Sequence, residues 1–550
     1  MGDVEVRKGR DMDSGWRTGM QETATSAFAK AAASHPGQLF VAFGDDKRTY
    51  RAFDHETNRL ARGLLALGVQ RAEPVAALLD NTLDVALYWM ATVKIGGVVA
   101  ALNTALKGEF LRHQLDVCEA RIIIAEADYV ERLAGVVDKL PKLRYVVYRG
   151  DQKPEVPLPG IEFVAFASLF DHGEGEITDE NRPGDLAALI FTSGTTGPSK
   201  GCALSHNYAM NLARQIIESD DRREGEVAWS CLPFFHFNAV ACTFLASAVL
   251  GGTAHFAKRF SLSGFWPDIE RTGATAASLL GIMIPLVADQ ADTPEMERCR
   301  GQLRLVAGAP FPPEHQEIYR RRFGVQRAGS NCYGTTEACL LTMVPRDVTP
   351  KPGTAGLCSP DFDVRIFDDN DCEVPVGVPG EIVARPLRPH VMFEGFYRQP
   401  DATMKIFRNM WYHTGDIGKF DGDGFLHFVD RKKDYLRRGG ENISMFELEN
   451  TFIQHPAVSE IAAHAVPSKL MEDDVKITLV LEAGARLTER ELCEWCLDRI
   501  PYYAVPRYIE FRSELPKTPT GKIEKFQLRE QGCTPQTWDR ETSGIMMTRR

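Results

Sequence analysis

Residues 191–201 read FTSGTTGPSKG, a run of glycine, serine and threonine closed by one lysine, directly after the apolar stretch LAALI at 186–190. Gly194 and Gly197 let the backbone turn sharply and come close to an anion, Thr192, Ser193, Thr195 and Thr196 add hydroxyl donors, and Lys200 adds a cation. The pattern predicts a phosphate-handling loop suited to a triphosphate. The Walker A spacing G-x-x-x-x-G-K-[ST] does not fit it, which argues against a P-loop kinase or motor. Taken alone, the same composition also describes a surface turn.

At 550 residues the chain exceeds one average domain, and a length prior suggests about three to four units. Apolar residues make up 44% and charged residues 25%, the balance of a folded globular protein. A net charge of −11 argues against nucleic acid or an anionic membrane surface as the main partner. The most apolar long segment, 85–106, is broken by Lys94 and Asn103 and reads as a buried helix and strand, so no integral membrane segment is expected. The N-terminus has no apolar signal region, Val6 stands where a myristoylation signal wants Ser or Thr, and the terminal MMTRR carries no prenylation or peroxisomal signal, so a cytoplasmic location is expected. The twelve cysteines lack framework spacing and suit a reducing compartment. Cys493 and Cys496 form a C-x-x-C inside the helical pattern TERELCEWCLDRI, with no second pair nearby, which reads as structural. A homodimer is compatible with the sequence.

From 23 to 67 the apolar positions recur largely at helical spacing. From Pro74 onward short apolar runs alternate with helix-like stretches: VAALLD, LYWMATVKIGG and RIIIAEA, then, beyond the glycine loop, VAWSCLPF, GTAHFA, ATAASLLG and LRLVAGAP. That alternation predicts an α/β fold, a large N-terminal lobe of parallel and mixed sheets covered by helices. Residues 351–395, rich in Pro, Gly and Asp, predict a small β-rich subdomain with EIVARP as one strand. Five charged residues at 430–434, DRKKD, separate the strand-like FLHFV from a restart that carries the helix ELENTFIQHP and the strand KITLVLEA. The expected division is an N-terminal domain at 1–430, a hinge at 431–434 and a small, mobile α+β C-terminal domain at 435–550.

Four further segments complete a set: YGTTE at 333–337, YHTGD at 412–416, RKKDYLRRGGE at 431–441 and PKTPTGKIEK at 516–525. In this order, with the glycine loop, they resemble the adenylate-forming acyl-CoA synthetase family over nearly the whole chain. FWPDIERTGAT at 265–275 and RRGGENIS followed by FELEN look most like its branch of carnitine and crotonobetaine CoA ligases.

The resemblance implies that a carboxylic acid is joined to the α-phosphate of ATP with release of pyrophosphate, and that the acyl group then passes from acyl-AMP to coenzyme A. It implies Lys522 as the catalytic lysine that bridges carboxylate and α-phosphate, Glu337 with Thr196 as the Mg²⁺ ligands, and Thr336 as a donor to the α-phosphate. Tyr333, followed by Gly334 and Thr335, would pack on adenine together with Gly308, Ala309 and Pro310; Asp416 and Arg431 would hold the ribose. Lys433 matches the hinge residue about which the C-terminal domain turns, bringing Gly439, Gly440 and Glu441 to a pantetheine channel. His236, in LPFFHFN, would orient the acid, in a pocket drawn from Phe237, Asn238, Ala239, Gly281, Ile282, Ile284, Cys339, Leu340 and Leu341. That set is largely apolar, which favours an aliphatic or alicyclic acid over an amino acid.

Two details depart from the commonest pattern. The loop ends Pro198-Ser199-Lys200 where X-Pro-Lys is more usual, and Arg437-Arg438 precede the glycine pair where many relatives have a smaller residue. Three functional readings stay open on sequence: an acyl-CoA ligase, an adenylation enzyme that loads a carrier-protein phosphopantetheine, and a non-catalytic binding protein on the same fold.

Overall fold

The computed structural model describes residues 22–192, 198–309, 311–431, 436–438, 441–468, 473–517, 523 and 525–545, with the backbone alone described at 430, 431, 437, 442, 446 and 526. Two seven-stranded sheets build the N-terminal lobe. The first runs, edge to edge, through Glu162–Ala165, Tyr145–Arg149, Ile122–Glu126, Pro74–Leu78, Val98–Ala101, Leu186–Thr192 and Lys200–Ser205, parallel except for the last pair. The second orders Arg327–Ala328, Leu305–Ala307, Ala276–Ser278, Val227–Ser230, Thr253–Phe256, Leu39–Phe43 and Asp46–Thr49, again parallel up to a terminal hairpin. Such strands are buried on both faces, which is why runs like Pro74–Leu78 carry no polar alternation.

The segment 23–67 differs from its helical expectation. Helices Ala24–Ser34 and Tyr50–Ala66 are there, but the hairpin of Leu39–Phe43 and Asp46–Thr49 lies between them. The run LFVAF is a strand whose Phe40, Val41 and Ala42 are fully enclosed, and the turn at Gly44 takes a left-handed φ of +59°. Residues 85–106 form the buried helix Leu83–Lys94 and the strand Val98–Ala101, as read from the sequence. Among the described residues no helix is long and apolar enough to cross a membrane.

The β-rich unit is a five-stranded antiparallel sheet of Phe362–Phe367, Gly380–Pro386, Trp411–Phe420, Phe407–Arg408 and Leu426–Arg431, so it extends past 395. Beyond it, Leu436–Arg438 pairs with Glu441–Ile443, and a four-stranded sheet forms from Val458–Pro467, Asp473–Leu481, Tyr508–Phe511 and Trp538–Asp539. Ser444 caps the helix Met445–Phe452, and Thr488 with Glu491 forms a reciprocal capping box on Glu489–Cys496. Cys493 and Cys496 are fully buried in that helix. The class is the expected one, a large α/β lobe with a β-rich subdomain and a small α+β C-terminal unit.

One apolar cluster joins the two ends of the chain. It runs from Leu78, Phe110, Leu111 and Leu115 in the large lobe to Leu436, Ile443, Leu448 and Phe452 in the C-terminal segment. Approach across this seam is close: a Cβ on Gly108, whose φ is +51°, would stand 2.9 Å from the Arg499 carbonyl oxygen.

Candidate active site

The glycine loop closes a hairpin. Leu186–Thr192 and Lys200–Ser205 pair antiparallel with Thr192 opposite Lys200. The Lys200 ammonium lies 5.4 Å from the centre of the Phe396 ring, and the Thr192 hydroxyl 3.7 Å from the Cys202 sulfur. Ser193, Gly194, Thr195, Thr196 and Gly197 lie outside the described residues, as does Pro310.

A second hairpin, Tyr333–Thr335 with Cys339–Met343, carries Thr336 and Glu337 in its turn. A Cβ on Gly334 would fall 2.0 Å from the Cys339 carbonyl oxygen, so this crossing requires glycine. The Tyr208 hydroxyl donates to the Thr336 carbonyl at 2.8 Å and fixes the turn. Glu337 is half-buried, with the Tyr412 hydroxyl 3.4 Å from its Oε2 and Thr335 Oγ1 3.1 Å from that hydroxyl. Burial raises the Glu337 pKa, opposed by hydrogen bonds from the backbone, Thr335 and Tyr412 and by the charge of Lys200. Its negative charge is therefore incompletely compensated by the protein, a setting that suits a cation.

Tyr333 donates its hydroxyl to Asp416 Oδ2 at 2.7 Å, and its ring centre is 6.1 Å from that of Phe428. Asp416, 7% exposed, stands in register with Arg431 on the neighbouring strand, so backbone pairing brings these two positions together. Gly308 follows the strand Leu305–Ala307, where a Cβ would meet the Leu279 carbonyl oxygen at 2.4 Å; its own carbonyl accepts from Ser330 N at 2.8 Å, and Ala309 comes next. If the Tyr333–Asp416 bond orients the carboxylate for a ribose diol, Tyr333→Phe should raise the KM for ATP about three- to tenfold with kcat little changed, measured by pyrophosphate exchange. An unchanged KM would remove that role.

The half-exposed His236 points Nε2 at Glu441 Oε1, 3.1 Å away. This contact joins the large lobe to the strand Glu441–Ile443. Phe237 is buried against Tyr208 at 5.8 Å between rings, and Ala239 begins the π-helix Ala239–Leu245. The Asn238 amide oxygen is enclosed without a hydrogen-bond partner among the described residues. Gly281 takes a φ of +52°, Ile282 directly precedes the helix Met283–Asp289, and Ile284 is fully buried on it. Cys339 and Leu341 are buried, and Leu340 is bonded through both its N–H and its carbonyl to the Gln215 amide.

Lys522, Lys433, Gly439 and Gly440 lie outside the described residues, and of Arg431 only the backbone is described. Around 522, Lys517 pairs with Glu460 at 2.6 Å, Lys525 pairs with Glu449 at 2.7 Å, and Ile523 packs on Ala462, Leu515 and Leu528. Among the described residues no group of three or more His, Cys, Asp and Glu side chains could hold a metal ion. One contact the sequence did not single out is that of Glu447 with Ser199, since S-x-x-E at 444–447 reads as a helix cap.

Residues 28–397 match the model of the AMP-binding enzyme family and residues 447–522 that of the AMP-binding enzyme C-terminal domain. The chain belongs to this family. It is 30% identical over 542 residues to a long-chain-fatty-acid–CoA ligase of Escherichia coli O6:H1, covering 93% of this chain and 94% of that one. It is 29% identical over 493 residues to a crotonobetaine/carnitine–CoA ligase of Citrobacter koseri, covering 88% and 93%. Among solved structures it is similar to the amide bond synthetase McbA from Marinactinospora thermotolerans, with TM-score 0.78, 25% identity and coverage of 92% and 99%.

Proposed function

We propose that this protein is an AMP-forming acyl-CoA synthetase: it activates a carboxylic acid as acyl-AMP with release of pyrophosphate and transfers the acyl group to coenzyme A. The observation that carries the reading is the contact of Glu441 with His236. A residue next to the glycine pair reaches the group proposed to orient the acid, on a lobe that also presents Lys200, Glu337 and the Tyr333–Asp416 pair.

In the first step a carboxylate oxygen attacks the α-phosphorus, the bond to the β-phosphate oxygen breaks, and pyrophosphate leaves. Like charges meet there, so donors and cations must be in place beforehand. Lys522 and Thr336 serve the α-phosphate, Lys200 and the glycine loop the remaining phosphates, and Asp416 the ribose. Glu337 and Thr196 would hold Mg²⁺, which when bound neutralises phosphate charge. In the second step the thiolate of coenzyme A attacks the acyl carbonyl and AMP leaves with the bonding pair. His236 orients the acyl group, and the small residues Gly439 and Gly440 line the thiol's approach.

Lys433 is proposed as the hinge between the two steps. Lys433→Pro, which restricts φ, should leave pyrophosphate exchange within about threefold while slowing thioester formation by tenfold or more. Equal loss of both activities would end that assignment. The overall reading is tested by incubating the protein with ATP, Mg²⁺, coenzyme A and a panel of short to long, branched and ring-bearing acids, with AMP and thioester followed by mass spectrometry. The largely apolar residue set expected around the acid favours an aliphatic or alicyclic acid. Acyl-AMP without thioester would point instead to a carrier-protein acceptor.

A further inference from the structure

We propose that Ser199 is a positioning residue that holds the C-terminal unit in the pose seen here, by bonding Glu447 across the domain seam. Ser199 is 4% exposed at the base of the glycine loop. Its backbone N–H and its hydroxyl both donate to Glu447 Oε1, each at 2.9 Å. Its other polar atoms are also engaged: the carbonyl lies 2.7 Å from His113 Nε2, and the hydroxyl accepts from Gln114 Nε2 at 3.3 Å. Glu447 sits in the first turn of the helix Met445–Phe452, where its own N–H bonds the Ser444 cap at 3.2 Å. Its carboxylate is committed to the other lobe.

The groups facing that carboxylate are Ser199, His113 and the like-charged Glu109; burial raises the Glu447 pKa and the two Ser199 bonds oppose the rise. Two bonds to one partly desolvated carboxylate are worth more than two between neutral groups. They exist only while the lobes keep this arrangement, so they weight the balance of poses toward the one in which Glu441 meets His236. The residue type matters. The more usual X-Pro-Lys ending would place proline at 199, which has neither an N–H nor a hydroxyl to offer. In this chain the end of the phosphate loop thus carries a catch for the C-terminal unit.

The inference rests on the two-step reading above, and its first test needs no substrate. Spin labels carried by non-natural residues at the exposed positions Glu174 and Glu530 report the distance distribution between the lobes. Ser199→Pro should broaden or shift that distribution, and Ser199→Thr, which keeps both donors, should preserve it. The second measurement separates the half-reactions with whichever acid the wild-type protein turns over. Ser199→Pro should slow single-turnover transfer from acyl-AMP to coenzyme A about tenfold and well beyond any slowing of pyrophosphate exchange, and be matched by no loss in Ser199→Thr. An unchanged distance distribution in Ser199→Pro, or equal slowing of both half-reactions, would overturn the proposal. A wild-type protein that forms no thioester would instead count against the ligase reading, while the distance measurement would still decide the catch.

Discussion

Lys522→Ala is expected to lower pyrophosphate exchange by about a thousandfold or more while transfer from preformed acyl-AMP to coenzyme A stays within about threefold. The cause is charge. A carboxylate approaching a triphosphate meets its strongest repulsion as the new oxygen–phosphorus bond forms, and a positioned ammonium there acts on the transition state more than on either bound substrate. The lysine follows Pro-Thr-Gly in the sequence, and its described neighbours Lys517, Ile523 and Lys525 find their partners at Glu460, Leu515 and Glu449, all within the C-terminal unit. Loss of Lys522 should therefore spare the fold and the second half-reaction. Near-normal exchange in the variant would refute the assignment.

The second large effect is expected at Glu337. Glu337→Gln keeps the shape and a hydrogen-bonding oxygen toward Tyr412 but removes the charge. Exchange should fall about a hundred- to a thousandfold, and the Mg²⁺ concentration for half-maximal activity should rise at least tenfold. Stability should not fall with it. Burial already disfavours the ionised form of Glu337 in the protein alone, so a neutral amide at that site costs the fold little. The pair of results matters: an unchanged Mg²⁺ requirement, or a drop in thermal midpoint equal to the loss of activity, would make Glu337 a structural residue of the Tyr333–Met343 hairpin.

How much was legible in advance depends on where the information lies. The glycine loop stood out as a phosphate-loop candidate because its chemistry is local, with glycines, hydroxyls and a lysine within eleven residues. The parallel sheets could be read because strands covered on both faces are continuous apolar runs. The hairpin of Leu39–Phe43 and Asp46–Thr49 was hidden because two real helices flank it and the five residues of its first strand blend into their apolar spacing. For the residues expected around the acid, the list carried no depth: Ile284 and Phe237 are equally apolar on paper, whereas the fold buries Ile284 on a helix and packs Phe237 at a tilt against Tyr208, leaving His236 half-exposed. The Ser199–Glu447 bond, 248 positions apart, had no local signal, because a serine followed three residues later by glutamate already explains itself as a cap.

The apolar cluster running from Phe110 and Leu115 to Leu448 and Phe452 has a thermal consequence. A C-terminal unit that swings off this seam wets the part of the cluster that lies between the lobes, so the swing carries a positive heat-capacity change and its equilibrium curves with temperature. Apolar burial weakens on cooling. In the cold the seam grips less, and the polar contacts of Ser199 and His236 hold a larger share of the balance between the two half-reactions.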